Sequence, residues 1–481
     1  MSYPDTRLFI DGRWLDGGSG RTIDVTDPAT GAVIGKVCVA TESQLEQAAA
    51  AAQAAFAGWA DASVLDRSGV LRRAATALRA RAAETAAILT REQGKPLVEA
   101  RAEVDGAADI FDWFAEEARR TYGQVVPARD PAVRQTAIRE PIGPVAAFTP
   151  WNFPVSQAAR KIGAALAAGC TMVLKPAEET PASTAVLAQV LDEAGLPAGV
   201  LNLVYGVPSE ISSHLIAHAA IRKISFTGSV PVGKQLAALA GLHMKPATME
   251  LGGHAPVLVF ADSDVQSVAG LMVRSKFRNA GQVCVSPTRF LIEETVIDTF
   301  RDAFVAQARA LKVGHGLEEG SDMGPLVSER RLEAVDALIA DARDRGAKVE
   351  LGGRRIGNAG NFYEPTVLSG LDRGMRVMNE EPFGPLALLI PFKTTDEALT
   401  EANRLPFGLA SYAFTGSAAT KATVERQLQA GMVSINHLGL ALPETPFGGI
   451  KDSGYGTEGG SEAIGAYLTT KFITERHAPR G

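Results

Sequence analysis

Cysteine is scarce: the 481 residues contain three, Cys38, Cys170 and Cys284. A small odd number in a long chain argues against a disulfide framework and suits a reducing, cytoplasmic setting. Basic tracts interleaved with aromatic residues are missing, so no nucleic-acid partner is expected. No stretch of about 18 apolar residues occurs, which excludes a helical membrane span. The opening MSYPDTRLFIDGRW has no basic segment followed by an apolar run, so no signal peptide is expected. Internal repeats and low-complexity tracts are absent, as is the dinucleotide fingerprint G-x-G-x-x-G. No metal site is expected. The net charge of −6 is mainly a solubility feature, and a local pair of arginines can override so weak a field.

Hydrophobic residues make up 46% and charged residues 21% of the chain, ordinary values for a globular protein. At about 150 residues per domain, the length allows two to four domains. Residues 1 to about 40 read as short strands and turns. Residues 42 to 120 carry apolar positions at helical spacing, as in SQLEQAAAAAQAAFAGWA, and predict several amphipathic helices. From about 140, short apolar runs (VAAFTP, TMVLKP, LNLVYG, RKISFTG) alternate with helical segments. That order implies a parallel sheet with crossover helices, whose ligands bind beyond the carboxyl ends of the strands. A second alternating region spans about 254 to 440 and predicts a second α/β unit. Residues 122–140 and the closing AYLTTKFITER read as strands, either pairing with another subunit or lying plainly on the surface.

Several residues at these strand ends have chemical potential. Cys284, in FRNAGQVCVSP, lies at a turn or helix start, where a lowered pKa favours a nucleophilic thiolate; the plainer role is a small buried hydrophobe. Glu250, in MELGGHAP, is a candidate general base or a solvated turn residue. Asn152, in TPWNFP, offers an amide for a developing oxyanion or a simple turn. Gly228, Ser229 and Gly233, in FTGSVPVG, form a strand-to-helix junction that can seat a phosphate. Lys175 and Glu178, in KPAEETP, can hold ribose hydroxyls, and the carboxylate disfavours a 2′-phosphate. Glu381 and Phe383, in EEPFGP, otherwise read as a Pro/Gly loop.

Together and in this order, TPWNFP, LKPAEETP, FTGS, MELGGHAP, FRNAGQVC, EEPFGP and PFGGIKDSGYG resemble the aldehyde dehydrogenase superfamily across nearly the whole chain. The resemblance implies a modified Rossmann domain (residues 1–121 and 141–252), an α/β catalytic domain (253–465) and a small β oligomerisation flap (122–140 and 466–481). It implies Cys284 as nucleophile, Glu250 as the base for thioester hydrolysis, and Asn152 with the Cys284 N–H as oxyanion hole. Thr149, Pro150, Trp151, Lys175, Glu178, Gly228, Ser229, Gly233, Leu251, Glu381 and Phe383 would bind the cofactor. That cofactor is NAD in preference to NADP, on the strength of Glu178. Partners would be a small aldehyde and further copies of the chain, as a dimer or tetramer.

Within the superfamily the chain is most similar to semialdehyde dehydrogenases, the 2-oxoglutarate semialdehyde branch before the succinate or glutarate ones. Phe153, Arg160 and Arg278 match substrate-binding positions, and two guanidinium groups suit a carboxylate clamp. The loop NHLGLALPETPFGG has Ala441 and Leu442 near the place of a serine typical of succinate semialdehyde enzymes, with Asn436 or His437 available for a keto group. A broader aldehyde dehydrogenase would not need both arginines. A non-catalytic relative would be expected to lose Cys284, Glu250 or Asn152.

Overall fold

The computed structural model describes residues 3–477; residues 1–2 and 478–481, at the outer ends of the expected Rossmann and flap segments, lie outside the described part. Four helices, Glu42–Asp61, Val64–Ala80, Ala82–Gln93 and Leu97–Glu117, occupy the region where helical spacing predicts them. The first begins with a capping box in which Thr41 and Gln44 satisfy each other's backbone N–H groups, supplying donors' partners that the helix itself cannot.

An eight-stranded sheet follows, in the order Arg13–Leu15, Leu8–Ile10, Leu201–Leu203, Met172–Lys175, Val145–Phe148, Lys223–Gly228, Ala247–Leu251 and Gly454–Tyr455. Its five middle strands are parallel and its flanking strands antiparallel. The middle strands are continuous apolar runs because both faces are covered. A second, seven-stranded sheet runs from Lys348–Leu351 at one edge to Met432–Ile435 at the other, with Pro287–Glu293 and Ala255–Val259 inside. This is the expected α/β architecture with Rossmann-like sheets. Gly454–Tyr455, which falls in the expected catalytic range, pairs with the strand that carries Glu250 in the first sheet.

Helix Leu97–Glu117 packs on helix Pro154–Ala168. Val104, Phe111 and Phe114 are buried on the former, and each large apolar side chain so buried contributes about 2 kcal/mol. Gly163 admits the Phe114 ring, since a Cβ there would lie 2.7 Å from it. This close seam fixes the helix bearing Arg160 and Lys161. A three-stranded antiparallel sheet of Gln124–Val126, Val133–Pro141 and Leu468–Arg476 stands apart, with Val125, Phe472 and Ile473 exposed. Among the described residues no helix is long and apolar enough to cross a membrane.

Gly454 has φ +112°, and a Cβ there would lie 1.8 Å from the Met249 carbonyl oxygen. Gly454→Ala is expected to cost about 3 kcal/mol through strain and displacement of that strand, visible as a thermal midpoint lowered by several degrees. A midpoint within a degree of the parent contradicts this packing.

Candidate active site

The carboxyl ends of the parallel strands open into a cavity of about 650 Å³ between the two sheets. Pro150, Trp151, Asn152, Gly228, Ser229, Glu250, Leu251, Cys284, Glu381 and Phe383 all line it, although they come from widely separated parts of the chain. Thr149, Phe153, Arg160, Lys175, Glu178, Gly233 and Arg278 are not among the residues lining it.

Cys284 lies in a turn between the short helical segment Arg278–Gly281 and the strand Pro287–Glu293. It is not at a helix N-terminus. Burial pushes its thiol up to about 12, with the negative charges of Glu381 and Glu250 adding to the effect and the Val285 and Cys284 backbone N–H groups opposing it. The expected lowering of the thiol pKa is therefore absent in the free protein, because burial and the two carboxylates outweigh the opposing backbone N–H groups and no helix N-terminus lies at the sulfur. Asn279 and Ala280, just before this turn, adopt left-handed φ values of 49° and 53°. Hydrogen bonds hold them there: Asn279 N donates to Glu99 Oε2 (2.9 Å), and Gln282 Nε2 donates to the Asn279 carbonyl (3.1 Å).

Asn152 follows the strand Val145–Phe148. Its carbonyl accepts from Lys95 Nζ (2.7 Å) and Asn279 Nδ2 (3.1 Å), and its Nδ2 donates to the Gln282 carbonyl (3.0 Å). An amide carries two N–H groups, so one remains for a second acceptor. Lys95 is fully buried, donates to Glu103 Oε2 (2.5 Å) and lies 3.9 Å from the Phe153 ring. Glu103 in turn accepts from the Val155 and Ser156 N–H groups at the start of the next helix.

Glu250 is 2% exposed, and neither carboxyl oxygen has a hydrogen-bond partner among the described residues. Burial, then the facing Glu458, raise its pKa well above the usual range; Lys161 and Arg160 oppose them. Glu458 forms a buried ion pair with Lys161, and Ser225 Oγ bonds both. Arg160 donates to the Ala441 carbonyl (2.6 Å) and the Glu458 carbonyl (3.3 Å), 5.2 Å from the Phe447 ring that lines the cavity. Arg278 is exposed, its guanidinium 5.0 Å from the Phe153 ring.

On the other side, Ser229 precedes the helix Val230–Leu242, with its side chain free of capping. Gly233 lets Leu251 approach; a Cβ there would sit 2.2 Å from Leu251 Cδ2. Lys175 and Glu178 form an ion pair. Trp151 and Phe383 meet edge to face at 5.5 Å. Glu381 Oε1 accepts from Gly253 N (3.3 Å), and burial raises its carboxyl to about 7. The buried hydroxyls of Thr149 and Thr227 lack partners among the described residues. A helix N-terminus, orphaned hydroxyls and an aromatic pair fit an extended, phosphate-bearing ligand such as a dinucleotide.

Lys95, Lys161, Glu458, Arg331 and Lys276 escaped sequence reasoning. In sequence they look like ordinary helix and loop charges, and only the packing reveals their burial. The pair Arg160-Lys161, both on an otherwise apolar helix stretch, was the available signal.

The chain matches the aldehyde dehydrogenase family over residues 14–473. It is 47% identical over 471 residues to a putative 4-(hydroxymethyl)benzenesulfonate dehydrogenase of Comamonas testosteroni, covering 98% of each chain. It is 43% identical to a glutarate-semialdehyde dehydrogenase of Pseudomonas putida, covering 98% of this chain and 99% of the relative. The crystal structure of a succinate-semialdehyde dehydrogenase from Burkholderia pseudomallei superposes with a TM-score of 0.97 at 42% identity, covering 99% of this chain and 98% of that one. The chain belongs to the aldehyde dehydrogenase family.

With its thiol raised to about 12, Cys284 in the free protein is expected to react with iodoacetamide at a rate rising about tenfold per pH unit to about pH 11. Peptide mass spectrometry would follow the site. A plateau at or below pH 9 contradicts the buried, anion-flanked setting.

Proposed function

We propose that this member of the aldehyde dehydrogenase family oxidises a short semialdehyde with an anionic far end, using NAD and a thioester on Cys284. The observation that carries the reading is the convergence of Cys284, Asn152 and the unpartnered Glu250 on one cavity. Bound NAD would supply the hydride acceptor. Cys284 gives its thiol proton to solvent, Sγ forms a bond to the aldehyde carbon as the carbonyl π bond breaks, and the free Asn152 N–H meets the charge that builds on oxygen, a contact worth about 3 kcal/mol. Loss of hydride leaves an acyl group on sulfur. Glu250, once ionised, takes a proton from water, whose oxygen displaces the thiolate and releases the acid.

We assign the pyrophosphate to Ser229 and the helix after it, one ribose to Lys175 and Glu178, and the other to Glu381. A carboxylate already paired with a lysine suits ribose hydroxyls and repels an added phosphate, which favours NAD over NADP. Residues 1–121 and 141–252 form the cofactor unit in this reading, and 253–465 the unit bearing the thiol. The flap of 122–140 and 466–481 joins copies of the chain, since its edge strand and exposed Val125, Phe472 and Ile473 offer backbone and apolar surface for pairing.

For the substrate we propose a carboxylated semialdehyde of the 2-oxoglutarate, succinate or glutarate type. Arg278, held on Phe153, meets its carboxylate, and Arg160 joins from behind Phe447. A sulfonated aldehyde is the second reading, favoured by the 47% identity to a relative named for a benzenesulfonate. A panel of these aldehydes with butanal as the uncharged control decides between them by NADH formation. Anionic aldehydes are expected to lead, and Arg160→Ala to lower their kcat/KM by about 10- to 100-fold more than it lowers that of butanal. Butanal oxidised as well as the anionic aldehydes, with Arg160→Ala leaving the anionic ones unaffected, would remove the semialdehyde assignment.

A further inference from the structure

Lys276 lies at the end of helix Val265–Phe277 and is completely buried. Its ammonium donates to Ser286 Oγ (3.0 Å), two residues after the thiol. Among the described residues it has no carboxylate within ion-pair distance. It sits where two functional loops touch. A Cβ on Gly281 would lie 3.2 Å from Lys276 Nζ and 2.1 Å from the Gly384 carbonyl oxygen. The turn carrying Cys284 and the loop carrying Glu381 and Phe383 therefore meet above this one buried cation.

A lysine buried without a paired carboxylate is costly unless it does something for its surroundings. We propose that Lys276 is a positioning residue: it holds the cysteine turn through Ser286 and keeps Glu381 ionised, so that the Glu381 carboxylate can accept hydrogen bonds from a ribose. This rests on the assignment of Glu381 to the cofactor.

The electrostatics agree in direction. Burial lowers Lys276 to about 7, and Glu381 is the charge that opposes this. Burial raises Glu381 to about 7, while Gly253 N–H, Arg331 and Lys276 hold it down. Arg331 comes from the facing helix Glu329–Asp344 and donates to the Pro382 carbonyl (3.3 Å). His254 also feels Lys276, but burial and Arg289 keep it neutral. Cys284 faces Glu381 as a protonated thiol. Removal of the ammonium leaves Glu381 with Arg331 and one N–H, so its proton is held to higher pH.

The test is NAD affinity of the apoprotein, read by calorimetry between about pH 6.5 and pH 9.5, for wild type, Lys276→Met and Ser286→Ala. Lys276→Met is expected to weaken binding about fivefold at about pH 7, the loss of ionised Glu381 that a carboxyl rise of about one unit brings. The loss should vanish toward pH 9.5, where Glu381 is ionised in both proteins. Ser286→Ala, which keeps the charge, should change affinity by less than about twofold, within the range of a neutral hydrogen bond. A deficit of Lys276→Met that is equal at every pH marks a purely structural role and overturns the proposal, as does unchanged affinity. If Lys276→Met does not fold, Lys276→Gln replaces it with the same expectations. Wild-type protein that binds NAD but oxidises no aldehyde would sink the functional reading while leaving this one standing.

Discussion

Both oxygens of Glu250 are buried, and among the described residues neither accepts a hydrogen bond. Such a carboxyl can persist only as the neutral acid or beside compensating charge. The surroundings supply both conditions at once. Glu458 raises its proton affinity, and Lys161 and Arg160 moderate it. The helix that brings these two cations is seated by the Gly163–Phe114 contact and by Glu103 on its first N–H groups. The strand that carries Glu250 is fixed from the far side by Gly454. Much of the first sheet's edge can thus be understood as support for one unsatisfied carboxyl.

The thiol is held in reserve by the same physics. Cys284 is buried beside Glu250 and Glu381 and away from any helix N-terminus, so the free protein keeps it protonated. A dinucleotide in the cavity would bring a positively charged nicotinamide ring near these anions, which links nucleophilicity to cofactor binding.

The fold was largely legible because periodicity changes abruptly near residue 140, from helical spacing to short apolar runs that end in Gly, Pro and polar residues. Those run ends are also where Asn152, Glu250 and Ser229 lie, so strand-end logic led to the cavity lining. Other features were illegible for physical reasons. The lack of thiol activation depends on which charges face Cys284, a three-dimensional fact. Lys95, Lys161 and Lys276 read as surface charges, since burial of a lysine has no local sequence code. Arg160 was read as a carboxylate clamp, and in the structure its donors go to the Ala441 and Glu458 carbonyls, which ties it also to the loop beside the cavity.

The central claim is a covalent acyl group on Cys284 that Glu250 is needed to remove. The most direct measurement is intact-protein and peptide mass spectrometry of Glu250→Gln quenched after mixing with NAD and succinate semialdehyde. The account predicts accumulation of an acyl adduct confined to the Cys284 peptide, formed together with a burst of NADH of about one equivalent per subunit. An unmodified Cys284 accompanied by sustained turnover would contradict it.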